Sequence, residues 1–191
     1  MRKAVLRLAI ASLFVATGGH HAGGFPGATA FAELHLPLRE KTAIVLNAEH
    51  VAAVQAIQYT AMDEAEWGST GGLLVSNADI PRFGSVVPEN PFLLGQLARN
   101  LAQQRVTMLA NAWSLTPGDA IPFQQRGYTV AQIIEVSNWY HTTADTLGIV
   151  PEQGLARATR AFAGFLHDID QLSMVEIKAS PGGENGRSES D

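Results

Sequence analysis

Three polar side chains late in the chain have a spacing that suits proton-transfer chemistry. Asn138, His141 and Asp145 lie at positions i, i+3 and i+7, so in a helix they point to the same side. Histidine titrates near neutral pH and can act as a general base. In this interpretation Asp145 orients and charge-stabilises the imidazole, and Asn138 donates a hydrogen bond to a substrate carbonyl or developing oxyanion. A polar contact between helices or subunits is the commoner use of such a row, and Glu135 lies off it and is predicted to be solvated.

A second histidine, His50, lies close to the apolar stripe of a helix predicted over residues 48–67. It can face the same cavity as His141, although a lone histidine on such a stripe is more often a hydrogen-bonded core residue. The two histidines, with Asp145 or an acid from residues 63–66, also offer nitrogen and oxygen ligands to a metal. No single helix has metal-site spacing, however, and no haem-attachment motif is present. We therefore predict neither a metal nor a cofactor.

The helix that carries the polar row is predicted over residues 129–148. Thr129 and Gln132 form a capping box at its start, and Gly148 and Pro151 mark its end. The apolar residues recur at helical spacing, which predicts one buried face. They are Val130, Ile133, Ile134, Tyr140, Ala144 and Leu147.

The rest of the folded chain is also predicted to be helical. Residues 43–46 form a continuous apolar run, for which periodicity does not separate a helix from a buried strand. We predict a helix there because no partner strand is evident downstream. Asn90 and Pro91 are typical of an N-cap and a first helical position. Residues 68–90 form a long connection, either a lid or a packed linker. Further helices are predicted over residues 48–67, 91–113 and 119–127, and from residue 152 onward.

Length and composition place the chain among globular proteins. Its 191 residues suffice for one domain with a substantial core, and it is 46% hydrophobic and 16% charged. The net charge of −5, without a basic cluster in the folded part, argues against a nucleic-acid partner. The chain has no cysteine. This excludes disulfides, thiolate catalysis and cysteine-ligated metal sites.

The N-terminus has the pattern of a secretory signal peptide. Three basic residues precede an apolar run over residues 8–16, which is too short to span a bilayer. Small-x-small motifs at residues 28–30 and 30–32 suit cleavage, and cleavage nearer Gly18 is an alternative. The sequence therefore predicts export to the periplasm or the cell exterior without a stable membrane span. An organelle transit peptide is the alternative.

These patterns divide the chain into three parts. Residues 1–32 are predicted to be a leader, whose Gly-rich end with His20 and His21 is flexible. Residues 33–177 form a single helical domain, and the polar residues 178–191 a disordered tail. Two adjacent imidazoles without carboxylate support are a weak metal-ligand set, so a linker is the simpler interpretation of the histidine pair.

Four features between residues 91 and 152 occur in a recognisable order. They are an apolar helix over residues 94–113, a Leu-Thr-Pro-Gly turn at 115–118, a short helix closed by Arg-Gly-Tyr-Thr at 126–129, and an ending from Asn138 through Ala144-Asp145 and Leu147-Gly148. This segment, about a third of the chain, resembles the C-terminal helical half of the alkylhydroperoxidase-D / carboxymuconolactone-decarboxylase superfamily. Where the family pattern has Asn-Arg, this sequence has His141-Thr142.

The resemblance implies an all-α single domain of about six helices. The family's peroxidase members use a Cys-x-x-Cys pair, which this cysteine-free chain lacks, so thiol peroxidase chemistry is excluded. Cofactor-independent, lyase-type acid–base chemistry on a small organic molecule remains, in a pocket between the 48–67 and 129–147 helices, with His141 as base. The alternative is a non-catalytic exported protein that binds a small apolar ligand or serves as an oligomeric structural subunit. Members commonly form symmetric oligomers, so a homo-oligomer is expected.

Overall fold

The computed structural model describes residues 12–53, 55–58, 72–75, 82–110, 116–135, 139–143 and 145–178. The strands are β1 Val45–Glu49, β2 Gln55–Gln58, β3 Gly72–Val75, β4 Arg82–Val87, β5 Met108–Ala110 and β6 Val130–Ile134. The helices are α1 Pro26–Leu34, α2 Pro91–Gln103, α3 Ile121–Gln125, α4 Glu152–Ile169 and α5 Met174–Lys178. A four-stranded mixed sheet in the order β1-β6-β4-β5 is flanked by helices, and β2 and β3 form a separate antiparallel pair. The fold is therefore α/β, and the all-α prediction is wrong.

The largest correction concerns the parallel pair β1 and β6. Their register joins Val45 to Val130 and Glu49 to Ile134. The apolar run at residues 43–46 fits a helix as well as a strand, so periodicity alone did not identify β1. The helix predicted over residues 129–148 is replaced by β6, by turns over residues 139–143 and by a short 3-10 helix at Leu147–Ile149.

Two further predictions fail in the same region. Residues 55–58 form β2, so the described part of the 48–67 helix is wrong, and with it the pocket placed between two helices. The long connection predicted over residues 68–90 contains β3 and β4. β4 pairs antiparallel with β6 and parallel with β5, so this segment supplies part of the central sheet.

One face of the sheet packs against α2 and α4. Fully or almost fully buried side chains from both layers form this core: Val86, Leu93, Leu97, Leu101, Ala131, Ile133, Ala161, Phe165 and Ile169. Each large apolar side chain buried here contributes about 1.5–3 kcal/mol of transfer free energy. The predicted cap of α2 is confirmed, because the Asn90 side chain accepts a hydrogen bond from the Leu93 amide at 3.0 Å. α2 ends ten residues before the predicted residue 113, since the chain turns at Arg105 (φ 59°) and enters β5.

The opposite face carries α1 and α3 at the start of β1 and β6. Val130 is fully buried there with Ala28 and Ala32 of α1 and Phe123 of α3. The small alanine side chains allow α1 to pack closely on its neighbours. α1 begins within the predicted leader, so the boundary placed at residue 32 falls inside a helix, and residues 26–32 are helical where flexibility was predicted.

The short helix before β6 and the long C-terminal helix are confirmed as α3 and α4. The buried residues Ala158, Phe165 and Ile169 belong to the stripe predicted for α4. None of the helices within the described residues is long and apolar enough to cross a membrane. Residues 179–191 of the predicted tail lie outside the described residues.

Candidate functional site

The carboxyl ends of β1 and β6 meet at one edge of the sheet. Both strands run the same way, and the Glu135 amide donates to the Glu49 carbonyl at 3.3 Å just beyond the last register pair. In open α/β sheets, ligands bind in the crevice outside the carboxyl ends of parallel strands. At this edge the chain places Glu49 at the last position of β1 and His50 directly after it, and Tyr140 and His141 in the turn that follows β6.

Titratable side chains from four parts of the chain gather here. They come from the segment before α1, the end of β1, the 3-10 helix Gly118–Ala120 and the turn after β6. We call this group the histidine cluster; its members are His20, His21, Glu49, His50, Asp119, Tyr140 and His141.

His20 lies between the two carboxylates of the cluster. Its Nε2 is 3.3 Å from Glu49 Oε1 and its Nδ1 is 3.2 Å from Asp119 Oδ2. Two neutral donors hold the same carboxylates from other directions. The Asn47 amide donates to Glu49 Oε2 at 3.0 Å, and the Thr17 hydroxyl donates to Asp119 Oδ2 at 3.2 Å. Both carboxylates are thus fixed in position by the chain itself.

Gly118 makes this approach possible. Its φ of +72° lies in the left-handed region, and a Cβ there would lie 2.3 Å from Glu49 Oε2. A side chain at this position would force the carboxylate away from the 3-10 helix, and an L-residue would also be strained at this φ. Glycine is therefore required where Glu49 approaches Gly118.

His50 has the environment of a general base. Its side chain is 24% exposed, and its Nε2 lies 3.9 Å from Glu49 Oε1. Burial lowers the pKa of His50 below its ordinary value, against the opposing negative charges of Glu49 and Asp145. The imidazole is therefore neutral at neutral pH and free to accept a proton. Its ring meets the Tyr140 ring edge-on, with centroids 4.7 Å apart.

Tyr140 and His141 form the other wall of the cluster. Their rings are stacked with centroids 3.8 Å apart, and His21 lies edge-on to His141 at 4.5 Å. The pKa of Tyr140 is raised by burial and by the negative charges of Glu49 and Asp145. The Tyr140 hydroxyl therefore keeps its proton over the physiological pH range and can donate a hydrogen bond.

Backbone strain coincides with this group. His50 (φ 54°) and His141 (φ 64°) both adopt left-handed conformations that residues other than glycine rarely adopt. Such strained residues concentrate at active sites and ligand clamps. Since the two histidines reach the cluster from different strands, their shared strain supports a functional role for this edge of the sheet.

The predicted site residues have mixed outcomes. His50 and His141 both contact Tyr140 and so come together at one edge of the sheet. Asp145 is exposed and influences His50 and Tyr140 through its charge. The predicted helix that would align His141 with Asp145 is not formed, because His141 lies in a turn and Asp145 in an irregular segment. Asn138 lies outside the described residues.

Glu135 is a separate correction. Predicted to be solvated, it is only 3% exposed and lies 3.6 Å from Arg82, which is 1% exposed.

Sequence reasoning missed His20, His21, Glu49, Asp119 and Tyr140 as members of one site. A signal was present for Glu49, because an acid and a histidine lie three and four residues after the apolar run 43–46. Treated as a strand, residues 45–49 place both groups at a carboxyl end. No comparable local signal exists for His20, whose partners depend on the tertiary fold.

Within the described residues, no three histidine, aspartate or glutamate side chains are placed to hold one metal ion. Glu49 and Asp119 contact different ring nitrogens of His20, so these two carboxylates do not converge on one point.

The chain matches no protein-family model and no curated protein.

Proposed function

We propose that the histidine cluster carries out cofactor-independent acid–base chemistry on a small organic molecule. The observation that carries this proposal is His50. Its imidazole is partly buried next to the Glu49 carboxylate, and its backbone is in the left-handed conformation. The all-helical fold implied by the family resemblance is wrong, so the proposal rests on the cluster alone.

In the proposed reaction the neutral His50 takes a proton from the substrate. The imidazolium that forms is stabilised by Glu49, which Asn47 holds in place. The Tyr140 hydroxyl donates a hydrogen bond to the oxygen on which negative charge develops. His141, the base predicted from sequence, is exposed and stacked on Tyr140, so we assign it to substrate contact.

The test is proton abstraction itself. Incorporation of deuterium from solvent into a panel of small ketones and 1,3-dicarbonyl compounds is followed by proton NMR, with the full chain as catalyst. We expect His50→Gln to slow exchange about 10²- to 10⁴-fold, which is the usual contribution of a general base. His167→Gln, an exposed histidine on α4, is the matched control and leaves the rate unchanged. Equal rates in folded His50→Gln and the parent chain rule out this mechanism.

A non-catalytic ligand-binding role is the second candidate. Phe83 and Leu109 are register neighbours in β4 and β5 and are 43% and 46% exposed. Two large apolar side chains at the edge of the sheet suit contact with an apolar ligand or a second copy of the chain. A rise in melting temperature with a small apolar compound, when no panel compound shows deuterium exchange, favours this role. Sedimentation of Phe83→Ser and the parent chain tests the homo-oligomer.

A further inference from the structure

The sheet face that carries Glu49 also carries a row of polar side chains. In register, Asn47 of β1 lies beside Gln132 of β6, and Gln132 lies opposite Ser85 of β4. Because side chains alternate along a strand, Asn47 shares its face with Glu49, to which its amide donates. The row Asn47–Gln132–Ser85 therefore leads from the histidine cluster into the sheet.

Two members of this row are buried without hydrogen-bond partners. Gln132 is 0% exposed and Ser85 is 1% exposed. Among the described side chains, Gln132 Oε1, Gln132 Nε2 and Ser85 Oγ are buried atoms for which no partner is present. Buried polar groups in folded proteins nearly always form hydrogen bonds, because leaving them unpaired is costly. Three such atoms on facing residues indicate a partner from outside the chain.

The neighbouring positions show that polar residues are not required by the fold. On the same face, one row back, Val45, Val130 and Val87 occupy the corresponding positions of the same three strands. Ile134 follows in β6 on the other side of Gln132 and is also buried. An aliphatic residue at position 132 fits the surrounding pattern, so the buried carboxamide needs a separate explanation.

We propose that Gln132 and Ser85 form a subsite for a neutral amide group of the ligand. A carboxamide offers one acceptor and two donors, and its best complement is another amide. The ligand carbonyl accepts from Gln132 Nε2 and from the Ser85 hydroxyl, and the ligand N–H donates to Gln132 Oε1. No member of the row is charged, which favours a neutral group. The amide enters from the Glu49 side, where Asn47 and Glu49 are partly exposed.

This subsite gives the proposed acid–base site its substrate class, small molecules that contain an amide, and in that respect it rests on the proposed function. The adjoining atoms of the bound ligand lie next to Glu49 and His50, where proton transfer takes place. The unpaired atoms of Gln132 and Ser85 are a separate observation from the strained His50. Binding at the subsite and proton transfer can therefore fail independently of each other.

The experiment measures binding and uses acetamide as the probe. Acetamide is titrated into the full-length, ¹⁵N-labelled chain, and the side-chain amide signals of Gln132 are followed by NMR. Their assignment comes from the signals missing in Gln132→Met. We expect these signals to shift saturably with acetamide. Ser85→Ala removes one hydrogen bond and is expected to weaken binding about threefold to tenfold.

Gln132→Met and Gln124→Met form a matched pair of variants. Gln124 is also largely covered, but its Oε1 accepts from the Thr116 amide at 2.7 Å and from the Thr116 hydroxyl at 3.0 Å. Without ligand, Gln132→Met is expected to melt at the same or a higher temperature than the parent chain, because an unpaired carboxamide is removed. Gln124→Met is expected to melt lower. Acetamide affinity of these variants is followed on the backbone amide signals of β6, because Gln132→Met lacks the Gln132 side-chain signals. Only Gln132→Met is expected to lose affinity for acetamide, by at least about tenfold.

Several outcomes overturn the subsite. One is an acetamide titration that leaves the Gln132 signals in place. Another is an exchange cross-peak between those signals and water without any acetamide response, which identifies a buried water as the partner. A third is an acetamide response of other signals that is the same in Gln132→Met and Ser85→Ala as in the parent chain. An acetamide response that is unchanged in His50→Gln, while deuterium exchange is lost, supports the subsite independently of the proposed base.

Discussion

Arg82 and Glu135 form a buried ion pair between β4 and the end of β6. Arg82 Nη2 lies 3.6 Å from Glu135 Oε2, and Arg82 Nε donates to the Val51 carbonyl at 3.1 Å. Removal of one partner from a buried pair typically costs about 3–5 kcal/mol. We expect Glu135→Leu to lower the free energy of unfolding by about this amount, measured by urea denaturation.

An exposed pair provides the control for this prediction. Glu33 is 62% exposed and pairs with Arg126 at the surface, so Glu33→Leu is expected to cost about 1 kcal/mol or less. Replacing Arg82 as well as Glu135 by leucine also removes the second buried charge and is expected to restore part of the lost unfolding free energy. If the double variant loses as much unfolding free energy as the two single variants Arg82→Leu and Glu135→Leu together, the two side chains do not interact and the assignment is contradicted.

The titration of His50 makes stability depend on pH. Burial lowers its pKa in the folded state below the value of about 6.5 found in unfolded chains. Between those two values the unfolded chain binds more protons, so stability rises with pH. This contribution is complete above pH 6.5 and is lost as the pH falls through the lowered folded-state pKa.

We therefore expect part of the acid sensitivity to disappear in His50→Gln. The difference in unfolding free energy between the parent chain and this variant is to be measured from pH 8 down to pH 5. It should change in favour of the variant as the pH falls. The exposed His167→Gln serves as the reference, and a difference for His50→Gln that is independent of pH would show that His50 is not desolvated.

At the scale of single elements, two glycines in the α2–α4 pair predict opposite effects. A Cβ on Gly164 of α4 would lie 2.3 Å from Asn100 Oδ1 of α2. Asn100 does not move aside easily, because its amide donates to the Gln96 carbonyl at 2.9 Å and to Asp168 Oδ2 at 2.7 Å. Gly95 of α2 has open space around it.

Gly95→Ala is therefore expected to stabilise the chain by about 0.5–1 kcal/mol, the usual gain for alanine in a helix. Gly164→Ala has the same propensity gain, but overpacking costs about 1–3 kcal/mol, so a net loss is expected. Thermal melting of the two variants side by side measures the difference. A similar rise in melting temperature in both variants would show that α2 and α4 adjust to the added methyl group, which contradicts the close contact at Gly164.

Elements with one buried face could be predicted from the sequence. The start of α2 was predictable from its Asn90 cap, and α3 from the residues at its two ends. The apolar stripe of α4 has a helical period because this helix buries one face against the rest of the fold. β6 could not be recognised, because all five of its residues are buried and no alternation remains. Its apolar residues fall at helical spacing by coincidence, and Gln132, interpreted as part of a capping box, lies in the middle of this strand.

The site was predictable only as far as residue type allows. His50 and His141 were candidates because histidine titrates near neutral pH, but their partners depend on the pairing of β1 with β6. Thr17 and Asp119 are in contact although 102 positions separate them. Contacts of this range are determined by the topology of the sheet, which no local pattern in the sequence specifies.

At the scale of the whole molecule, the segment before α1 belongs to the folded structure. His20 contacts Glu49 and Asp119, and the Gly27 amide donates to the Gly18 carbonyl at 3.1 Å. Cleavage after residue 30 or 32 would remove His20 and divide α1. Of the cleavage positions that the sequence allows, the one near Gly18 alone preserves both features.

On the proposal that the N-terminal segment is a cleaved leader, we predict that cleavage falls near Gly18, which N-terminal sequencing and intact-mass measurement of the protein from its native host can determine. Two shortened chains test the physical reason. Removal of residues 1–16, which keeps the contacts of Thr17 and Gly18, is expected to leave the melting temperature nearly unchanged. Removal of residues 1–32 exposes the core around Val130, since Ala28 and Ala32 are lost, and is expected to lower it by at least about 5 °C. A mature chain that begins at Glu33 and melts like the longer one would mean that α1 contributes nothing to the fold, and that the histidine cluster works without His20.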